Sequence, residues 1–292
     1  MAAFLQIDHV SKFFPAPDRA VQRSGEAETF CVFRDVTLGI AKGEFVTMIG
    51  HSGCGKSTLL NIVAGFERAS EGGVILDGKE VSRPGLDRMM VFQSFALMPW
   101  LSAFDNVRIA VKAAYPFWDK GRVREHAQKY IDMMGLTGGE YKKPALLSGG
   151  MRQRVGLARA FAVQPKVLLL DEPFAQIDAL TRGVIQDELI RMWAATATTV
   201  FMVTHDVDEA IRLSDRIALM TSGPSARVAE CLEVHIPRPR DRATIIDLPE
   251  YTRLRNYALH FLMQGTHSPP ERAYSGGSLN HRGPDTLADL AS

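Results

Sequence analysis

One stretch of eight residues constrains this chain more than any other: Gly50-His51-Ser52-Gly53-Cys54-Gly55-Lys56-Ser57. It matches G-x-x-x-x-G-K-[ST] without a mismatch. The apolar run Glu44–Ile49, rich in strand formers, feeds into it, and Lys56–Ala64 predicts a helix directly after it. Glycines let a backbone wrap closely around phosphate and turn successive N–H groups inward. The following helix presents its positive N-terminal end to the same anion. Lys56 is placed to reach the outer phosphates and Ser57 to offer its hydroxyl to Mg²⁺, with Thr58 next in line. The stretch therefore predicts a nucleoside triphosphate site of a P-loop NTPase.

The rest of the chain suits such a core. Leu5 and Ile7, and Val36, Leu38 and Ile40, alternate with polar neighbours, which predicts half-buried strands. Gly73–Gly78 and Met89–Gln93 read as further short strands. Val167–Leu170 reads as a strand buried on both faces, and Val200–Thr204 and Ile217–Met220 read as two more strands. Between them, Val123, Ala127, Tyr130, Ile131 and Met134 recur at helical spacing with Gly135 as a stop, and Ile185, Leu189, Met192 and Trp193 share one helix face. The expected fold is α/β: a parallel central sheet, an antiparallel β subdomain and an inserted helical subdomain at about 94–160. The ATPase domain is expected over 1–235. Pro15–Thr29 reads as an exposed loop. A C-terminal extension is expected over 236–264, with a short amphipathic helix carrying Tyr251, Leu254, Ala258 and Phe261, and 265–292 as a disordered tail.

Two further motifs narrow the chemistry. Val167–Glu172 (VLLLDE) ends a buried strand in two carboxylates. Asp171 suits a Mg²⁺ site, and Glu172 suits a general base on the attacking water, a role typically worth ~10²–10⁴-fold in rate. Ser148-Gly149-Gly150 opens a helix with a hydroxyl, free N–H groups and a helix dipole, a second phosphate-binding start. One nucleotide cannot engage both starts within an ordinary α/β monomer. A head-to-tail pair, each domain covering the other's ATP, resolves this.

With these motifs in this order, the chain resembles the nucleotide-binding subunits of the ABC transporter family over about residues 4–235. The resemblance implies that Gln93, in VFQSFALMP, contacts Mg²⁺ and the attacking water. It implies that Asp178, in QIDALT, communicates across the dimer, and that His205, ending TVFMVTH, is the switch histidine at the γ-phosphate. Phe14 stands where the family stacks an aromatic on adenine, with Phe13 as its alternative. Met151 and Gln176-Ile177 depart from the family's usual residues but remove no catalytic group. LMPWLSAFDNV and the Ile236–Arg242 tail look like importers of nitrate, sulfonate, taurine, cyanate or bicarbonate, most like the nitrate branch.

The implied partners are integral membrane permease subunits, docking on a groove along Phe95–Val107, a periplasmic or lipoprotein solute-binding protein, and a second ATPase subunit, identical or related. Composition fits a peripheral role on the inner face of the membrane. No apolar run approaches the ~20 residues of a bilayer span, no secretory leader is expected, and three dispersed cysteines suggest a reduced compartment. A net charge of +1, from 34 basic and 33 acidic residues, argues against a nucleic-acid partner. The alternative is a non-transport ABC-type ATPase, which would typically carry two such domains or a long coiled-coil insertion. Cys54, inside the cradle, is expected to make the chain sensitive to thiol alkylation.

Overall fold

The computed structural model describes residues 3–15 and 29–264. The loop expected at Pro15–Thr29 therefore falls almost wholly outside the described residues, as does the tail at 265–292. Ten strands form in chain order: β1 (Leu5–Pro15), β2 (Thr29–Ile40), β3 (Phe45–Gly50), β4 (Glu71–Leu76), β5 (Lys79–Glu80), β6 (Arg88–Val91), β7 (Val167–Asp171), β8 (Thr199–Thr204), β9 (Arg216–Met220) and β10 (Val228–Glu233). Among them run helices α1 (Lys56–Ala64), α2 (Ala103–Ala114), α3 (Lys120–Met133), α4 (Gly149–Ala162), α5 (Ala179–Thr196), α6 (Val207–Leu213) and α7 (Pro249–Gln264).

β2-β1-β4-β5 is an antiparallel sheet, and β10-β9-β3-β8-β7-β6 is a second sheet, parallel except for its β10 edge. The continuous apolar runs behave as expected for strands covered on both faces: every residue of β3 and β8 is buried. β3, β8 and β7 are adjacent and in step, with Ile49 beside Thr204 and Val203 beside Asp171. Their C-terminal ends therefore open at one place, where open α/β sheets bind ligands.

α2, α3 and α4 pack together on a core that includes Val107, Val123, Ala127, Tyr130, Ile131 and Phe161. Ser102, Asp119 and Ser148 cap their N-termini, each accepting from a backbone N–H three residues on. The C-terminal extension packs back on the core, with the expected helix formed as α7. Tyr251, Leu254 and Ala258 of α7 are buried against Val207, Ala210 and Ile211 of α6. Arg240 anchors the segment between β10 and α7: its guanidinium donates to the carbonyls of Ile211 and Ser214 at the end of α6, and to Val234 and Ile236. Helix ends leave such carbonyls without partners, so a buried arginine completes the cap. Burial lowers the Arg240 pKa to about 10.

The stretch expected to form a docking groove, Phe95–Val107, is divided between core and surface. Phe95, Ala103, Phe104 and Val107 are core residues, while Trp100 is 68% exposed. Buried Asn106 explains the turn between them: its side chain accepts from the Met98 N–H and donates to the Met98 and Ser102 carbonyls. Among the described residues no helix is long and apolar enough to cross a membrane.

Candidate nucleotide site

The loop after β3 curls through left-handed glycines, Gly53 at φ +79° and Gly55 at φ +98°. Gly55 also has no room for a side chain, since a Cβ would lie 2.6 Å from Val32 and 2.7 Å from Phe33 of β2. Lys56 is 5% exposed, and its ammonium donates to the carbonyls of Gly50 at 2.7 Å and His51 at 2.8 Å. No carboxylate lies within ion-pair distance of it among the described residues. A buried cation without an ion-pair partner favours an anion beside it. The loop thus fits a polyphosphate, the test that matters for ATP.

The Ser57 hydroxyl donates to Oδ1 of Asp171 at 2.8 Å. Burial pushes the Asp171 carboxyl above its ordinary range, with Glu172 adding to the rise. A hydroxyl and a carboxylate set side by side are hard oxygen donors of the kind Mg²⁺ takes. Glu172 follows at φ +43°, the left-handed region that a non-glycine residue enters at a cost. Its N–H is held by the Val203 carbonyl at 3.0 Å. The twist sends Glu172 away from Asp171, so the two neighbouring carboxylates take different partners.

Glu172 meets two other expected residues. Gln93, two residues beyond β6, donates from Nε2 to Oε2 at 3.3 Å. Nδ1 of His205, just after β8, lies 3.4 Å from Oε1. Lys56, Ser57, Gln93, Asp171, Glu172 and His205 thus come from the ends of β3, β6, β7 and β8. Behind Gln93, Phe95 at φ +63° and Ala96 at φ +44° are also left-handed, and their carbonyls accept from Arg159 of α4. Sequence reasoning missed Arg159, because nothing local links it to a loop more than sixty residues earlier.

Ser148, Gly149, Gly150 and Asp178 form a separate neighbourhood. Ser148 caps α4 by accepting from Met151 N–H at 3.2 Å, and Asp178 caps α5 by accepting from Thr181 N–H at 3.0 Å. A Cβ on Gly150 would lie 2.4 Å from Cγ2 of Thr181, and one on Gly149 would lie 3.2 Å from the Gln176 carbonyl. These glycines let α4 approach the start of α5 closely. Phe14, at the free end of β1, is half exposed, with the Lys12 ammonium 4.7 Å from its ring centre, and Phe13 lies under the Arg34 guanidinium. His51 has an unexpected contact: Nε2 touches the Leu262 carbonyl at the end of α7.

Cys54 differs from expectation. It is fully buried, and that burial pushes its thiol pKa up. Its side chain packs under the loop, against Gly50, rather than into the space above it.

Known proteins resemble this chain over most of its length. Residues 33–175 match the family model described as ABC transporter. The chain is 47% identical over 259 residues to the nitrate import ATP-binding protein NrtD of Synechococcus elongatus, covering 89% of this chain and 91% of that protein. It is 48% identical to the bicarbonate transport ATP-binding protein CmpD of the same organism, covering 89% and 90%. With the nitrate transport protein NasD of Klebsiella oxytoca it shares 45% identity over 90% of this chain and 98% of that protein. Among solved structures, one chain of a dimeric ATP-binding cassette in a post-hydrolysis state with ADP and Pi superposes with a TM-score of 0.68 at 30% identity, over 80% of this chain and 100% of that one.

Proposed function

The chain belongs to the ABC transporter family, and from that premise we propose that it is the ATP-hydrolysing motor of an importer for a small inorganic anion of the nitrate or bicarbonate class. The observation that carries this reading is the convergence of Ser57, Gln93, Asp171, Glu172 and His205 at the ends of adjacent strands. Its high identity to nitrate and bicarbonate ATP-binding proteins, over nearly their whole length, supports the anion class.

In this reading Gly50–Thr58 binds the phosphates, and Lys56 turns from the loop carbonyls toward them. Ser57, Asp171 and Gln93 would hold Mg²⁺, which would supply positive charge against the triphosphate. Glu172 orients and deprotonates the attacking water, with Gln93 and His205 fixing its two oxygens. Phe14 or Phe13 stacks on the base. Ser148, Gly149, Gly150 and Asp178 act on the nucleotide of a second subunit, so the working unit is a dimer beneath membrane permease subunits. A solute-binding protein delivers the anion from the far side.

The test is co-purification from membranes followed by reconstitution in vesicles. The expected result is ATP-dependent uptake of nitrate or bicarbonate, abolished by Lys56→Ala. Co-purification with nucleic acid or ribosomes, and no permease, would refute it.

A further inference from the structure

Behind Glu172 a second set of polar contacts joins two loops that lie on opposite flanks of the site. Arg182 sits in the first turn of α5, immediately after the Gln176–Asp178 segment. Its Nη2 donates to the Ile177 carbonyl at 3.1 Å. On its other side Nη1 reaches Oδ2 of Asp206 at 3.5 Å, and Nε lies 3.9 Å from Oε1 of Glu209. One guanidinium therefore grips the backbone before α5 and two carboxylates at the start of α6.

Those carboxylates bracket His205. Asp206 follows it directly and caps α6, accepting from the N–H groups of Asp208 and Glu209. Thr204 precedes it, and its hydroxyl donates to Glu209 at 2.9 Å while accepting from the Asp206 N–H at 3.1 Å. Gln186, also on α5, donates to Glu209 at 3.3 Å. The backbone on either side of His205 is thus tied to groups that α5 holds. Arg182 stands between Asp206 and Glu209, whose charges repel each other. Its planar fork serves a carbonyl and the carboxylates together, which a lysine ammonium cannot reproduce.

We propose that Arg182 is a positioning residue for ATP hydrolysis, holding the His205 loop in register with the Gln176–Asp178 segment of the same subunit. Displacement of that segment, which meets the partner in the proposed dimer, is then carried to His205 through one side chain. The inference rests on the reading of His205 as a hydrolytic group. A small displacement of such a group is enough to lower turnover by an order of magnitude or more.

The experiment uses the full chain, with steady-state and single-turnover ATPase assays of Arg182→Met, Arg182→Lys, His205→Ala and the Arg182→Met/His205→Ala double variant. Arg182→Met is expected to lose about tenfold or more in kcat while KM for ATP stays within about twofold. Arg182→Lys should recover part of the loss, because it restores charge but only one contact. In the His205→Ala background Arg182→Met should cost little more, since both changes remove the same function. Wild-type kcat in either Arg182 variant, or losses that multiply in the double variant, would overturn the proposal. Should Arg182→Met fail to fold, Arg182→Lys alone decides by the same criterion. A His205→Ala chain that hydrolyses ATP at the wild-type rate would overturn the reading of His205 itself, a failure visible without any Arg182 variant.

Discussion

Oε1 of Glu172 and Nδ1 of His205 lie 3.4 Å apart, joining the residues that follow β7 and β8. With Gln93 on the other carboxylate oxygen, Glu172 is oriented from both sides. Replacing Glu172 by Gln preserves the shape and removes the base. ATP affinity should be retained while phosphate release slows by ~10²–10⁴-fold. Single-turnover phosphate release is the measurement, and an unimpaired rate in Glu172→Gln would remove Glu172 from the base role.

Cys54 is buried beneath the loop and its thiol is held protonated by that burial. Thiolate is the reactive form, so the native chain should resist N-ethylmaleimide at this position whether or not ATP is present. Mass spectrometry of alkylated peptides should show Cys54 modified only after unfolding. Rapid labelling of the native chain, blocked by ATP, would restore the expectation drawn from sequence.

Gly150 lies where a methyl group would meet Cγ2 of Thr181 at 2.4 Å. Gly150→Ala should therefore push α4 away from α5 and destabilise the chain by about 1–3 kcal/mol, the usual range for overpacking. Thr181→Ser removes that methyl and keeps the hydroxyl. Combined with Gly150→Ala it should recover much of the lost melting temperature. Equal melting of the single and double variants would show that the contact does not limit packing.

Glu209 is buried, and that burial, with the charge of Asp206, pushes its carboxyl from 4.5 up to about 7. Between those values the folded chain keeps a proton that the unfolded chain releases. Stability from this group is therefore greatest below the unfolded value, falls as pH rises toward 7, and levels off above it. Glu209→Gln should flatten this decline, making the variant relatively more stable at pH 8 than at pH 5, by about 1–3 kcal/mol in difference. Denaturant melts at the two pH values measure it. An unchanged pH slope would place the Glu209 pKa near its ordinary value.

The sequence by itself determined the parts whose information is local. The phosphate loop, the buried runs of β3, β7 and β8, and the periodic face of α3 are specified by residues within a few positions of one another, and each element formed where expected. Ser57, Asp171 and Glu172 were legible from their own motifs, whereas Gln93 and His205 were named through the family resemblance. Tertiary structure alone decided how they meet, since the order β3-β8-β7-β6 brings together strand ends far apart in the chain, such as Gly50 of β3 and Thr204 of β8. It also decided that Cys54 points under the loop, that the residues around Phe104 are core, that Arg159 and Arg240 bind carbonyls of distant segments, and that Arg182 reaches the carboxylates of Asp206 and Glu209. An arginine's partners at such separations leave no periodic trace in the chain, because a hydrogen bond to a carbonyl depends on where the backbone passes and not on which side chain it carries. Around Glu172, the sequence named the chemical groups, and the strand order set the distances between them.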